Sequence, residues 1–310
     1  MKTLTLIKRY SDCYPYVGHY FNQQKAQRYI FKINRLNKPI EASAYHQQID
    51  GHDIKIAIEL SSMFSCPIGC KFCASGSLGK SEILTEDEII EQAVYIASVI
   101  KKTTPIHFCY QGIGEPSLIP ELIINVSKRL LKLYPACKFK LSTMGANPGG
   151  IIELAFTDLP FESIQITLPH FNQVELKKMF VKWPAYSVVN VLKAVKVFHL
   201  LRPGVKIKFN YTCIKGFNDN KQTIKGVIGV LKDNGITLTD NIELKISFLN
   251  PTDISSQNKL SSSGREKHYE LLKFVQNSGI SNCYVFGAMK NIKVGCGQLI
   301  VASAKNQWGS

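Results

Sequence analysis

Three cysteines fall within eight positions, in Cys66-Pro67-Ile68-Gly69-Cys70-Lys71-Phe72-Cys73. Thiols so close together on one short loop are able to converge on a single inorganic centre. A structural zinc ion is one candidate, but it needs a fourth ligand to close its tetrahedron, and no nearby Cys or His at ordinary spacing offers one. Three cysteines suit a [4Fe–4S] cubane that keeps one iron open for a further ligand. Two other segments could do chemistry. Gly112-Ile113-Gly114-Glu115-Pro116 sets a carboxylate beside exposed backbone, a combination suited to an ammonium group, although it also reads as a plain strand-to-helix turn. Cys296, between Gly295 and Gly297, is a potential thiolate nucleophile that a cofactor or base could approach closely, or else an inert buried thiol.

These residues need a frame to hold them. From residue 54 onward short β-rich runs alternate with helical patterns, the signature of βα units around a parallel sheet. Strands are expected at residues 54–60, leading into the cysteine loop, and at 106–111, 138–142, 163–168, 205–212, 242–248 and 283–286. Helical patterns cover 188–201, 221–233 and 264–277. Thr85 caps a further helix running to about residue 101, with Glu88 completing a capping box. Six or so βα units are too few for a closed eight-stranded barrel, so the expected fold is α/β, a partial (β/α)6 barrel with its catalytic groups at the carboxyl ends of the strands. The Ser/Asn-rich stretch 252–264 reads as a mobile surface loop near the mouth of the site. The division expected is a basic, aromatic-rich extension over residues 1–50 and a core over 51–310 that ends in the Cys296 segment.

With 310 residues, 45% hydrophobic and 20% charged, the chain falls in the ordinary globular class. No run is long and apolar enough for a membrane span, and the start is too short and too charged for a signal-peptide core. Nine cysteines without a secretory signal argue for a reducing compartment, and hence the cytoplasm. A net charge of +15 favours a polyanionic partner such as RNA, since lysines and arginines that neutralise phosphates gain affinity by counterion release; a basic surface kept for solubility is the alternative. The first forty residues place Tyr10, Tyr14, Tyr16, Tyr20, Phe21, Tyr29 and Phe31 among eight basic residues and the single acid Asp12. Such rings could stack on bases or pack against the core.

The cysteine loop, with Phe72 before its last cysteine, resembles the radical S-adenosylmethionine (SAM) superfamily. That resemblance implies that Cys66, Cys70 and Cys73 hold three irons and that the fourth binds the amino and carboxylate groups of SAM, whose reductive cleavage releases a 5′-deoxyadenosyl radical. Further segments are similar to one branch, the RlmN/Cfr RNA adenine methyltransferases. The Gly114–Glu115 pair would meet the SAM amino group. Ser142 in Leu141-Ser142-Thr143-Met144-Gly145, Thr167 and Leu168 in Ile166-Thr167-Leu168, and Asn250 in Asn250-Pro251 would complete the cofactor pocket. Tyr211 with Asn218-Asp219 matches another family pattern. Gly295-Cys296-Gly297-Gln298-Leu299 resembles the A-C-G-Q-L in which the cysteine is methylated and then, as a radical, adds to C2 or C8 of an adenine. An RNA substrate and a reducing electron donor such as flavodoxin or ferredoxin follow from the same resemblance.

The sequence also departs from the family. Its second, resolving cysteine, seven residues before the cluster motif, is Glu59 here, and the histidine after the I-S-L motif is Pro169. A carboxylate cannot form the disulfide that releases product, so Cys109, Cys213, Cys283, Cys137 or Cys13 must serve or the step is missing. The family's proton-accepting glutamate is matched by Glu41, which requires an insertion between it and Glu59. The larger amino-terminal RNA-binding domain that the resemblance implies is expected to be absent or much reduced here. An alternative is therefore a divergent enzyme that uses the same SAM site for hydrogen abstraction or group transfer on a peptide or small molecule.

Overall fold

Alternation of apolar and polar side chains over residues 138–143, 206–213 and 242–248 sets the two faces of the sheet, because successive residues of a strand point to opposite faces. The computed structural model describes residues 2–17, 23–50, 52–100, 104–180, 182, 187–288 and 300. Three long antiparallel strands come first, β1 (Leu4–Val17), β2 (Gln23–Ile33) and β3 (Lys38–Ile49). Then follow β4 (His52–Glu59), α1 (Glu86–Ser98), β5 (Ile106–Tyr110), α2 (Pro120–Leu133), β6 (Lys138–Thr143), α3 (Pro148–Ala155) and β7 (Phe161–Thr167). The chain continues through α4 (Gln173–Met179), α5 (Val188–Leu201), β8 (Lys206–Cys213), α6 (Lys221–Asp233), β9 (Ile242–Phe248), α7 (Asp253–Gln257), α8 (Arg265–Asn277) and β10 (Cys283–Ala288).

Strands β4 to β10 lie side by side in chain order, all parallel, each of the first six followed by helix. This is the (β/α)6 arc expected from the alternating patterns. Strands β1 to β3 complete the circuit, β3 pairing with β4 and β1 with β10, so that the ring is closed by antiparallel strands. Residues 4–49, legible beforehand only as a basic and aromatic stretch, thus supply three staves of the same barrel. Tyr29 and Phe31 are fully buried and take the ring of Tyr95 from α1 edge-on, at 5.9 and 5.5 Å. Arg35 and Lys38 pair with Glu88 at 2.7 Å and Glu82 at 3.2 Å, so these two cations brace the fold.

The main apolar core lies between the outer face of the sheet and the helices. Ile56, Ile58, Phe139, Ile207, Phe209, Leu244 and Ile246 face it from the strands, and Ile89, Ile123, Leu192 and Leu231 from the helices. Helix α1 starts where its capping box dictates, with the Thr85 side chain accepting from the Glu88 amide and the Glu88 carboxylate from the Thr85 amide. Such a cap contributes about 1 kcal/mol. The stretch 252–264 is not a simple surface loop. It opens with α7, whose Thr252 and Ser255 form a reciprocal capping box and are 3% and 1% exposed. Among the described residues no helix is long and apolar enough to cross a membrane.

Candidate active site

The cysteine loop leaves the carboxyl end of β4 and is tied to its neighbours by backbone hydrogen bonds. The Ser62 and Met63 amides donate to the Ile113 carbonyl at 2.9 and 3.0 Å, and the Ile113 amide donates to Ser61 Oγ at 3.0 Å, which locks the loop to the Gly112–Pro116 turn. Buried Gln92 of α1 clamps Ser61 from behind, bonding its amide and carbonyl at 3.0 Å each. Farther along, the Cys66 amide donates to the Ser75 carbonyl and the Cys73 amide to that of Cys70. A strap after α4 holds the outer edge: the Lys71 amide reaches the Met179 carbonyl, Phe72 meets Phe180 edge-on at 6.1 Å, and Lys182 Nζ bonds the Gly76 carbonyl. From the other side Thr252 Oγ1 donates to the Phe72 carbonyl at 3.3 Å and Asn258 Nδ2 to that of Lys71 at 3.0 Å. The Ser/Asn-rich stretch therefore docks on the cysteine loop itself.

Two glycines shape the loop. Gly69 has φ +66°, and a Cβ on Gly76 would come within 2.7 Å of the Gly69 Cα. Burial pushes the thiols of Cys66, Cys70 and Cys73 up; the nearby charge of Glu115 adds to this at Cys66, and the other two cysteines do so at Cys70. Buried thiolates that repel one another call for a cationic centre between them. Among the described residues no three His, Cys, Asp or Glu gather as ligands of one metal ion. A cubane takes each thiolate at a separate iron, so this set of one buried and two half-buried cysteines on one glycine-shaped loop fits an iron–sulfur cluster.

Glu115, 4% exposed, follows the carboxyl end of β5, near enough for its charge to act on Cys66 and Cys70. One of its oxygens accepts from the Ser117 amide at 3.2 Å, from Ser117 Oγ at 2.8 Å and from Thr143 Oγ1; the other accepts from the Met144 amide at 3.1 Å. Burial raises its carboxyl above the ordinary value while these donors pull it back. Gly114 before it has φ +134°, and a Cβ there would strike Ser62 Oγ at 2.5 Å. A carboxylate oxygen can accept two hydrogen bonds, and the second oxygen of Glu115 accepts one from the Met144 amide. Sequence reasoning missed Thr143 and Ser117; the signal for Thr143 lay within the Leu-Ser-Thr run, where attention went to Ser142.

Ser142, at the end of β6, accepts from Gln165 Nε2 at 2.9 Å, and Lys245 Nζ donates to Gln165 Oε1 at 2.6 Å. Thr167 and Leu168 close β7, the Leu168 amide bonding the Asn210 carbonyl. Asn250 follows β9 at the same end of the barrel and is exposed. Tyr211, Asn218 and Asp219 are struts. Fully buried Asn218 spans the turn after β8, donating to the carbonyls of Pro169 and Thr212 at 2.8 Å, and Tyr211 OH bonds the Asn218 carbonyl. Cys296 lies outside the described residues, as does the rest of the Gly295–Leu299 motif.

The β3–β4 hairpin brings Glu41 close to Glu59. Ser43 pairs with Glu59, and the Glu41 carbonyl accepts from Ser61 Oγ at 2.5 Å, so Glu41 stands just above Glu59 and is 6% exposed. Its charge is felt by both Glu59 and Cys73. Glu59 hydrogen-bonds Gln111 inside the barrel. Its direct neighbour on β5 is Cys109, a buried thiol pushed up to about 12 by that burial. Cys137 and Cys283 are at the start of β6 and β10, and Cys213 ends β8 against Ser263, so among the cysteines with described side chains Cys109 is the one beside Glu59.

Burial drives the Glu59 carboxyl up to about 7, with Gln111, Lys245 and Lys140 opposing it and Glu41 reinforcing it. The folded chain therefore keeps a proton that the unfolded chain has lost, and the stability linked to Glu59 is present below its ordinary 4.5 and disappears as pH rises through about 7. Glu59→Gln should flatten this decline in urea-unfolding free energies measured from about pH 5 to pH 8. An unchanged pH slope would mean that Glu59 is already ionised in the fold.

The radical SAM superfamily profile matches residues 60–227, from the end of β4 into α6. The chain is 29% identical over 253 residues to the ribosomal RNA large subunit methyltransferase Cfr of Clostridium botulinum (strain Okra / Type B1), covering 77% of this chain and 68% of that one. It is 27% identical over 263 residues to the Dictyoglomus turgidum protein named probable dual-specificity RNA methyltransferase RlmN, covering 83% and 72%. The crystal structure of a radical SAM methyltransferase from Sphaerobacter thermophilus superposes with a TM-score of 0.76 at 19% identity, over 96% of this chain and 81% of that one, a likeness of fold.

Proposed function

This chain belongs to the radical SAM superfamily, and we propose that it is a methyltransferase of the RlmN/Cfr type that methylates an adenine in RNA through Cys296. It is an enzyme, and its cofactors are a [4Fe–4S] cluster and SAM. When bound, the cluster supplies the electron that cleaves SAM, and SAM supplies the methyl group and the radical. Cys66, Cys70 and Cys73 would hold the cluster. Gly114 and Glu115 would take the SAM ammonium, with Ser142, Thr167, Leu168 and Asn250 at the same end of the barrel. Glu41, buried above Glu59, would accept the proton lost from the base. The observation that carries this reading is the Glu115 cradle, a buried carboxylate fixed by Ser117, Thr143 and Met144 and near enough for its charge to act on Cys66 and Cys70. The RNA substrate rests on the Cfr and RlmN relatives and on the net charge of +15. A reducing donor such as flavodoxin or ferredoxin and a cytoplasmic location complete the reading.

Anaerobic reconstitution with SAM, a reductant and total RNA, followed by mass analysis of nucleosides and of the Cys296 peptide, tests this directly. A methyladenine in the RNA and a methylated Cys296 are expected; an unchanged nucleoside profile together with an unmodified cysteine would exclude it. Glu59 favours one second reading, hydrogen abstraction or group transfer on a peptide or small molecule, because a carboxylate stands where the resolving thiol of the family belongs.

Glu115→Gln keeps the shape of the cradle and removes its charge. SAM should bind that variant more weakly by roughly 1.5–3 kcal/mol, the worth of a charge-assisted hydrogen bond. Equilibrium dialysis with the cluster intact measures it, and an unchanged dissociation constant would remove Glu115 from the cofactor site.

A further inference from the structure

The inside of the barrel is not filled in the usual way. Closed barrels of parallel strands pack branched apolar side chains at their centre. Here a cavity of about 670 Å³ runs into the barrel, lined by Lys55, Lys138, Lys140, Lys206, Lys208 and Lys245. Its mouth is marked by Lys138, Pro160, Gly204, Lys206 and Asn241, at the amino ends of β6 to β9, opposite the cysteine loop. Among the described residues the only acid in its lining is Glu162, which pairs with Lys55 at 3.0 Å and Lys140 at 2.8 Å. Two more carboxylates border it: Glu243 pairs with Lys206 and Lys208 at 3.0 and 3.4 Å, and Glu59 faces Lys245 and Lys140. Among the described residues six amines thus meet three carboxylates, with Lys138 and Lys206 at the open end and the other four farther in. Clustering of like charge has a visible cost, since burial and the nearby Lys208 and Lys140 push the Lys245 ammonium down to about 7.

We propose that this cavity is a binding site for an anion carrying two or more phosphate groups, a nucleoside polyphosphate or a free oligophosphate, entering from the end of the barrel opposite the SAM site. Charge selects the class, because amines from four strands answer an anion with several negative oxygens. Length selects more than one phosphate. Lys138 and Lys140 on β6, like Lys206 and Lys208 on β8, are two residues apart, so the amines form a column about 7 Å long on each strand. The volume is that of an ordinary small-molecule site. Tyr284 and Phe286 of β10 add aromatic wall on one side, which would suit the base of a nucleotide. The site does not depend on the methyltransferase reading above.

The test uses the anaerobically reconstituted enzyme saturated with SAM, titrated calorimetrically with ATP, tripolyphosphate and adenosine. ATP or tripolyphosphate should bind saturably, and adenosine should not. Equal affinity for the two anions would assign the site to the phosphate chain alone; at least tenfold tighter ATP would show that the base is held as well. Lys208→Gln and Lys206→Gln should each weaken binding at least tenfold. Wild-type protein gives a readout that no folding defect can confuse: bound anion should protect Lys140 and Lys208 from acetylation by acetic anhydride while leaving exposed Lys128 and Lys225 unchanged. Absence of saturable binding, binding abolished by SAM, unaltered affinity in both variants, or protection of the barrel lysines by RNA and by neither small anion would each overturn the proposal.

Discussion

Cys70→Ala should lose its iron completely. Anaerobically purified wild type is expected to hold about four irons per chain with the absorbance of a [4Fe–4S] centre, and two remaining thiolates cannot anchor that cubane. Cys70 would be the middle ligand of the loop; its backbone is bridged to Phe180 and its carbonyl accepts from the Cys73 amide. The loop backbone is held from three sides, by the Ile113 turn, by Met179, Phe180 and Lys182, and by the α7 segment, so the substitution would remove a ligand from a frame that stays folded. Circular dichroism should be near wild type, while iron content and 5′-deoxyadenosine formation under dithionite should both fall to background. Retention of stoichiometric iron in Cys70→Ala, or stoichiometric zinc in the reconstituted wild type, would refute the cluster assignment.

The second large effect concerns Cys296. Cys296→Ala should abolish methylation while leaving the reductive cleavage of SAM in place, because cleavage needs only the cluster and the pocket around Glu115. Wild type should in turn stall as a protein–RNA adduct unless a thiol reaches Cys296, since Glu59 cannot form the releasing disulfide. Glu59→Cys should raise turnover if the Cα atoms of residues 59 and 296 come within about 7 Å. Cys109, next to Glu59 on β5 and about 12 in its ionisation, is a poor nucleophile as it stands, so Cys109→Ser should change turnover little by comparison. Full product formation by Cys296→Ala would exclude covalent thiol chemistry and favour the second reading.

Strands with clear alternation and helices with strong caps could be read before the structure. Strand β9 and helices α5 and α6 begin and end where the periodicity placed them, and Thr85 with Glu88 marked the start of α1 to the residue. Strands β1 to β3 were not legible because their first signal was composition: eight cations and seven rings drew attention to partners. Their turn signals were present, since Asn37 and Asp50 both take positive φ, at 53° and 49°, next to strand ends. Helix α7 spans five residues, too few for periodicity to show, and only the Thr252/Ser255 box betrays it.

The site divides in the same manner. Cysteine spacing singled out the loop proposed to hold the cluster, and a short motif singled out Glu115 but not its partners Ser117 and Thr143. The interior lysines escaped notice because net charge was summed over the chain. Read by strand face, K-F-K-L-S-T in β6 and K-I-K-F-N-Y-T-C in β8 place their cations on one side only, in a parallel sheet whose strands are ordinarily apolar on both faces. Six of the 38 basic residues line the cavity, so the charge of the chain is only partly a property of its surface.

The seam between β1 and β10 sets the order in which the molecule can be made. Tyr16 and Val17 meet Ala288 and Gly287, residues from nearly opposite ends of the chain. During synthesis β1 can zip onto β2 at once, but its other side must wait until almost the whole chain has left the ribosome. Until then the nascent protein carries an open, two-ended sheet, the form most prone to pairing with a neighbour. Joining the ends is also the step with the greatest loop to close, so it should be the slowest event in folding and the one most helped by a chaperone that shields strand edges.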